Sequence, residues 1–219
     1  MRENRMKKKE IILQLCLAVV LTLSIIGIAV VGTLAFRPLY YHDIKALDIP
    51  GYSGYSEAEI RQNYDALIDY NMPFKDGVLT FPTLAMSESG RIHFEEVKQI
   101  FDLFKYFALF GSLISVVGIA WFVKKKEYRF LKYTAVVTIS LPVVLGILVA
   151  ICWDKVFVWF HKIFFRNDFW IFDWTTDPVI LILPDEFFMH CAILIFAGVM
   201  FGAFVCLGSY LLIKRRKTK

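Results

Sequence analysis

Residues 11–36 read IILQLCLAVVLTLSIIGIAVVGTLAF, an apolar stretch without a single charge. A helix needs about 20 apolar residues, at about 1.5 Å each, to cross the hydrocarbon core of a bilayer. The basic residues before this stretch are also typical of a secretory signal peptide. However, the stretch is longer than a signal-peptide core of roughly 7–15 residues, and no small-residue cleavage site follows it. The sequence therefore predicts a retained transmembrane helix.

Three further stretches are long and apolar enough to cross a bilayer. The whole chain of 219 residues is 58% hydrophobic and 16% aromatic, which is more apolar than a soluble domain with its roughly half apolar composition. We therefore predict an all-α membrane protein that forms a single membrane domain over residues 1–219. The four predicted transmembrane helices are 11–36, 101–123, 133–152 and 187–213.

The basic residues indicate the orientation of these helices. Fifteen of the 25 Lys and Arg residues lie in three short flanks, with five in each flank. Short flanks rich in Lys and Arg stay in the cytoplasm, so both termini are predicted to be cytoplasmic. Clusters of this size beside spans are typical of membrane topology and do not indicate nucleic-acid binding. The three flanks contain Arg2, Arg5, Lys7, Lys8 and Lys9; Lys124, Lys125, Lys126, Arg129 and Lys132; and Lys214, Arg215, Arg216, Lys217 and Lys219.

The remaining two segments, 37–100 and 153–186, are predicted to form a small cap on the extracellular face. Residues 37–98 contain six basic and ten acidic side chains. In the first segment, Ser56 and Glu59 have the spacing of a capping box and predict a helix that begins after Ser56. Residues 78–82 favour a short extended strand.

Few side chains in the sequence are candidates for catalysis or metal binding. The common motifs of soluble enzymes are missing, and the cysteines Cys16, Cys152, Cys191 and Cys206 have neither metal-ligand nor disulfide-framework spacing. We therefore expect no metal site and no cofactor. The four histidines, His42, His93, His161 and His190, all map to the outer half of the molecule. A single histidine there is most often an ordinary interfacial residue, but two on separate outer segments suit acid–base work near neutral pH.

Aromatic residues are dense in the second outer segment, with twelve Phe and Trp between Trp153 and Phe188. Aromatic side chains also collect at membrane interfaces without any binding role. Around His161, however, rings alternate with polar groups in a pattern that favours a pocket for an acyl chain. Asp168 and Asp177 also suit a structural role beside turns and a helix start, and Lys98 suits a ladder of charge pairs with Asp102 and Lys105. The candidate substrate-binding residues are Lys98, Phe160, Phe164, Phe165, Asn167, Asp168, Trp170 and Asp177.

Two stretches of sequence carry a resemblance to a known family. Residues 87–98, SESGRIHFEEVK, and residues 160–170, FHKIFFRNDFW, continuing to TDP at 176–178 and LPDEFF at 183–188, resemble two elements of the lipoprotein intramolecular transacylase family of Gram-positive bacteria. The resemblance extends over nearly the whole chain. It departs from the family pattern at Trp174, where a proline is commoner.

The resemblance implies an enzyme of the cell membrane with its active site at the extracellular face. Such an enzyme moves the sn-2 acyl chain of a diacylglyceryl-modified lipoprotein onto the α-amino group of its N-terminal cysteine. His93 and His161 are then the two catalytic histidines, in an acid and a base role that the sequence does not divide between them. We expect a monomer surrounded by membrane lipids. Two alternatives remain at this point: a two-substrate membrane acyltransferase or lipid hydrolase, and a non-enzymatic lipid-binding or sensor protein.

Overall fold

The computed structural model describes residues 2–73 and 77–217, apart from the side chains at positions 2–7, 141, 144, 145 and 148–150. These residues form helices and connecting loops. The predicted strand at 78–82 is wrong, since residues 78–81 have no regular secondary structure, Pro82 lies in a bend, and no strand occurs in the described ranges. The helices are α1 (Arg2–Ala35), α2 (Arg37–Ala46), α3 (Ile49–Ser53), α4 (Glu57–Asn71), α5 (Glu88–Tyr106), α6 (Ser112–Lys124), α7 (Arg129–Phe164) and α8 (Asp185–Lys217).

Three helical stretches are long and apolar enough to cross a membrane: Lys8–Ala35, Glu88–Lys124 and Asp185–Lys217. The second consists of α5 and α6, joined by a π-helical turn at Phe107–Gly111. These stretches contain the predicted spans 101–123 and 187–213, and they contain the predicted span 11–36 as far as Ala35. The predicted span 133–152 belongs to α7, and six of its side chains lie outside those described.

The described chain divides into two compact units. The first consists of residues 2–30, 104–148 and 195–217. Within it, small residues allow close helix contact: a Cβ added at Gly198 would lie 3.2 Å from Ala29, and one at Gly202 would lie 2.6 Å from Ile25. The GxxxG pair of α8 therefore packs against α1, as such pairs do in membranes.

The three basic flanks meet within the first unit. Lys125 Nζ lies 3.1 Å from Glu10 Oε1, and Lys217 Nζ donates a 2.8 Å hydrogen bond to the Lys126 carbonyl. These contacts join the start of α1, the loop after α6 and the end of α8. These three parts of the chain therefore lie close together in the first unit.

The second unit consists of residues 31–73, 77–103 and 149–194 and has its own apolar core. The core is centred on Tyr40 and Tyr64, whose rings stack with centroids 3.7 Å apart. Tyr40 Oη donates a hydrogen bond to the Ile182 carbonyl at 2.5 Å. The predicted capping box is confirmed: Ser56 accepts from the Glu59 amide, and the Glu59 carboxylate accepts from the Ser56 amide. Other buried members of this core include Ile44, Ile49, Ile60, Ile68, Phe81, Phe94, Val179 and Phe187.

Helix α7 is interrupted at Cys152, whose φ of −141° and ψ of 45° are not helical. The chain resumes a helical course to Phe164. This last part contains His161.

Candidate active site

The position of His93 depends on the first turn of α5. The Asp177 carboxylate accepts a 2.7 Å hydrogen bond from the Ser87 amide, and Ser87 Oγ accepts a 3.0 Å bond from the Gly90 amide. These bonds satisfy amides that a helix start leaves without partners. A carboxylate at this end also suits the helix dipole. His93 follows in the second turn, and its side chain is only 5% exposed.

His161 lies in the last turn of α7, and its ring is oriented by the helix backbone. Its Nδ1 lies 2.8 Å from the Phe157 carbonyl oxygen. A carbonyl only accepts hydrogen bonds, so Nδ1 carries the proton of the neutral ring and Nε2 carries the lone pair. The Phe157 ring also packs on the imidazole, with centroids 4.4 Å apart. His161 therefore has Nε2 available to accept a proton.

The two histidines lie together in the second unit. Their ring centroids are 6.0 Å apart and their planes differ by 31°. Phe165 contacts both rings, at 4.7 Å from His93 and 5.6 Å from His161. Trp170 stacks on His161 at 4.7 Å, and Phe172 meets the edge of His93 at 5.4 Å. The pair thus has aromatic walls.

These walls set the electrostatics of the pair. Burial lowers the pKa of His161 below its usual range, although the hydrogen bond with Phe157 and the negative charge of Asp185 oppose this effect. His93 is more deeply buried among aromatic rings, and such surroundings favour a neutral imidazole. In the described part of the chain, the buried His93 Nδ1 and Trp170 Nε1 have no hydrogen-bond partner. Two buried polar atoms at this site therefore have unused hydrogen-bonding capacity within the described chain.

Beside the pair lies a crevice of about 340 Å³, which we call the Glu96 crevice. Phe165 is shared between the crevice and the histidine pair. At the crevice, Glu96 Oε1 accepts a 2.9 Å hydrogen bond from Asn167 Nδ2. This bond links α5, which carries His93, to the loop that follows His161. The crevice is lined by Glu96, Gln99, Ile100, Leu103, Phe164, Phe165 and Arg166.

Known proteins with the same features settle the family. The family model described as lipoprotein intramolecular transacylase (Lit) matches residues 15–188. The chain belongs to the lipoprotein intramolecular transacylase family. It is therefore an enzyme of the acyltransferase class, with a lipoprotein substrate and a membrane location. No curated protein sequence matches the chain.

Solved structures of a lipoprotein intramolecular transacylase, the membrane-integral protein of Bacillus cereus, are similar to this chain over almost its full length. One shares 38% identity at a TM-score of 0.94, over 97% of this chain and 99% of that one. The same protein with one histidine replaced by arginine shares 38% identity at a TM-score of 0.87, over 99% of this chain and 98% of that one. With that histidine replaced by alanine, the protein shares 37% identity at a TM-score of 0.90, over 100% of this chain and 99% of that one.

The other predicted site residues have varied positions. Phe160 is exposed and contacts the edge of His161, with centroids 5.5 Å apart. Lys98 Nζ donates to the Tyr70 carbonyl and lies 4.3 Å above the Tyr70 ring. Asp168 is exposed. Asp177 is 2% exposed and has the hydrogen bonds of a helix cap, while its predicted role in substrate binding stays untested.

Three neighbours of the site were missing from the predicted set of site residues. Phe157 is four residues before His161, the spacing at which a helical side chain meets a backbone carbonyl. Glu96 is three residues after His93, so both lie on one helix face. These two spacings are signals that the sequence contains. Phe172 has no such spacing, because it reaches His93 only through the fold of the loop after α7.

Proposed function

We propose that this enzyme transfers the sn-2 acyl chain of a diacylglyceryl-lipoprotein to the α-amino group of its own N-terminal cysteine. The product is a lyso-form lipoprotein with an N-acyl chain. The observation that carries the proposal is the pair of His93 and His161, with ring centroids 6.0 Å apart among aromatic walls. Two neutral imidazoles suit a reaction in which protons move and no enzyme nucleophile is needed.

The reaction brings together two groups on one molecule. The amine nitrogen attacks the ester carbonyl carbon, a C–N bond forms, and the bond from that carbon to the glyceryl oxygen breaks. The closed transition state contains an eight-atom ring from the nitrogen through Cα, Cβ, sulfur and two glyceryl carbons to the ester oxygen and the carbonyl carbon. Such a ring is flexible, so holding it closed gives a proximity gain of several kcal/mol.

The two histidines have different roles in this proposal. His161 accepts a proton from the attacking nitrogen at Nε2, the atom left free by the bond between Nδ1 and Phe157. His93 gives its N–H proton to the glyceryl oxygen as it leaves and takes up the proton that His161 has accepted, so both imidazoles are neutral again at the end. Starting from the ammonium form, the nitrogen loses two protons, of which the equivalent of one goes to the glyceryl oxygen and one to solvent. The product thus leaves an enzyme whose two histidines are in the same protonation state as before the reaction.

The same proposal includes the arrangement in the membrane. We infer four transmembrane helices, with 133–152 as the third, and a single membrane domain with an extracellular cap of residues 37–100 and 153–186. The basic flanks support cytoplasmic termini, and with this topology we propose that the histidine pair lies outside. A reporter active only outside the cell should work when inserted after Gly77 and fail after Lys219. The opposite result contradicts this arrangement.

A crossover experiment tests the intramolecular transfer. Two synthetic diacylglyceryl-lipopeptides with different peptide sequences are mixed. The first has deuterated acyl chains, and the second has ordinary acyl chains. Mass spectrometry after incubation with the enzyme should show each peptide N-acylated only by its own chain. Exchange of labelled chains between peptides, or free fatty acid as the main product, supports the two-substrate acyltransferase or hydrolase instead. Family membership favours either enzyme over a lipid-binding or sensor protein.

A further inference from the structure

The two carboxylate oxygens of Glu96 differ in their hydrogen bonding within the described chain. Oε1 accepts from Asn167 Nδ2 at 2.9 Å. Oε2 is buried and has no hydrogen-bond partner among the residues that the structure describes. A buried acceptor without a donor is unfavourable, more so when it is charged. A ligand that brings a donor, and above all a positive charge, would remove this cost.

The surroundings of Glu96 limit what such a ligand can be. The lining of the Glu96 crevice includes the apolar side chains of Ile100, Leu103 and Phe164 and the polar groups of Glu96 and Gln99. It suits a molecule in which a cationic group adjoins hydrocarbon. The other charged side chain of the lining, Arg166, is exposed, so its charge is in contact with water and is screened.

The position of Glu96 connects the crevice to the histidines. Glu96 is one helical turn after His93 on α5, on the same face of the helix. Asn167, which holds Glu96, comes from the loop that follows His161. Phe165, in contact with both imidazoles, is also part of the crevice wall. A cation bound at Glu96 therefore lies beside the pair.

We propose that Glu96, held by Asn167, binds the α-ammonium group of the substrate's N-terminal cysteine. This inference rests on the proposed function, because only a substrate with a free amino terminus brings an ammonium group to this site. The ammonium donates a charge-assisted hydrogen bond to Oε2, and the apolar side of the crevice accommodates hydrocarbon of the same molecule. The N-acylated product has a neutral amide at this nitrogen, so Glu96 favours substrate over product and assists product release.

The test measures binding without turnover. Two dialkylglyceryl-cysteine peptides with ether-linked chains, which hold no transferable acyl group, differ only in that one has the α-ammonium and the other has hydrogen in its place. The wild-type enzyme in nanodiscs of phosphatidylglycerol should bind the ammonium peptide about tenfold more tightly, as expected for a hydrogen bond between charged groups. Equal affinities in the wild type would overturn the proposal without any variant.

Variants then test whether the preference for the ammonium peptide depends on Glu96. Glu96→Gln keeps the shape and should lose the preference for the ammonium peptide, while Glu96→Asp should keep part of it. The matched control is Glu95→Gln, because Glu95 precedes Glu96 on the same helix and pairs with Arg91 outside the crevice. This control should retain the full preference. A full preference in Glu96→Gln, or an equal loss in Glu95→Gln, contradicts the proposal.

A lipid headgroup with a primary ammonium is the other source of the same chemistry. Adding phosphatidylethanolamine to the nanodiscs should leave the affinity of the ammonium peptide unchanged. Competition by this lipid that disappears in Glu96→Gln would assign the site to a headgroup and overturn the assignment to substrate. Because the ether peptides are not turned over, these results are independent of the crossover experiment: transfer without an ammonium preference refutes the role of Glu96 alone.

Discussion

Asp177 accepts a 2.7 Å hydrogen bond from the amide of Ser87, the residue just before helix α5. Its second oxygen accepts from Thr176 Oγ1 at 2.8 Å. The loop before α8 is thereby fixed to the start of the helix that carries His93. Asp177 can thus affect catalysis through the position of His93, without contact with the substrate.

Replacing Asp177 by Asn should therefore lower stability. An amide can still accept from Ser87, but it loses the charge that suits the helix start, and together these effects are worth about 1 kcal/mol. Asp168→Asn is the matched control, since Asp168 is exposed and its replacement should change stability by less than about 0.5 kcal/mol. Thermal unfolding in detergent compares the two. Equal melting temperatures for the two variants would contradict the capping role.

Gly90 is required for the same contact. A Cβ added there would lie 2.3 Å from Asp177 Oδ1 and 3.3 Å from a carbon of the Phe172 ring. Gly90→Ala must therefore displace the capping carboxylate and the ring beside His93, at a cost of about 1–3 kcal/mol. Gly208→Ala in α8 is the control, because nothing lies within 4 Å of its added Cβ. Alanine there should leave stability unchanged or raise it by up to about 1 kcal/mol. Melting temperatures that fall equally in both variants would count against this account.

Local patterns in the sequence predict much of the fold. The length of apolar stretches predicts the spans 11–36, 101–123 and 187–213, and the observed helical stretches contain all of these residues except Phe36. This works because a segment that crosses a bilayer must be apolar over one continuous length. The helix from Glu57 is predicted from the capping box of Ser56 and Glu59, which spans four residues. The break at Cys152 escaped prediction, because no glycine or proline marks it. The only proline in that helix, Pro142, favours a kink at another position.

The site is only partly predictable for a related reason. His93 and His161 stand out as residue types, and the family resemblance pairs them. The contacts of His93 with Phe165 and Phe172 depend on how distant segments fold together, which no local spacing specifies. The bond from Asn167 to Glu96 likewise joins two segments that are far apart in the chain. The binding feature that we infer at Glu96 is visible only once those segments are in place.

The pH dependence of turnover should report the environment of His161. In the proposed role, this residue works in its unprotonated form, and burial lowers its pKa. The lowered pKa keeps the ring unprotonated at pH values just below about 6.5, the usual pKa of histidine. The acid limb of kcat against pH should lie below 6.5, with the rate falling as the pH drops through the lowered pKa. Saturating lipopeptide and mass-spectrometric product counting give this profile. Because the substrate's α-amino group itself titrates at about pH 8, the profile is compared for two lipopeptides whose amino groups differ in pKa. A limb at or above 6.5 that does not shift with the amine would exclude His161 as a buried base.

The two histidines outside the site should behave differently from each other. His190 Nδ1 lies 2.8 Å from the carboxylate of Asp43, which is 1% exposed. His190→Ala removes this partner from a buried carboxylate and should cost about 3 kcal/mol or more. His42 is exposed, and His42→Ala should change neither stability nor product. Thermal unfolding separates the two variants, and an unchanged melting temperature for His190→Ala would contradict the structural role of the pair.

His93 and His161 should prove to act as one catalytic unit. Replacing either with Ala removes a proton donor or acceptor from the same transfer, so each single variant should lose essentially all N-acylated lyso-lipoprotein. The double variant should be little worse than either single variant, because residues that share one task are not additive. The four enzymes, wild type included, are expressed in a strain without its own transacylase, and the N-terminal lipopeptides are weighed. His42→Ala is the control for expression and membrane insertion, since His190→Ala affects the fold. Normal product from either single variant would end the acid–base assignment, while family membership would stand.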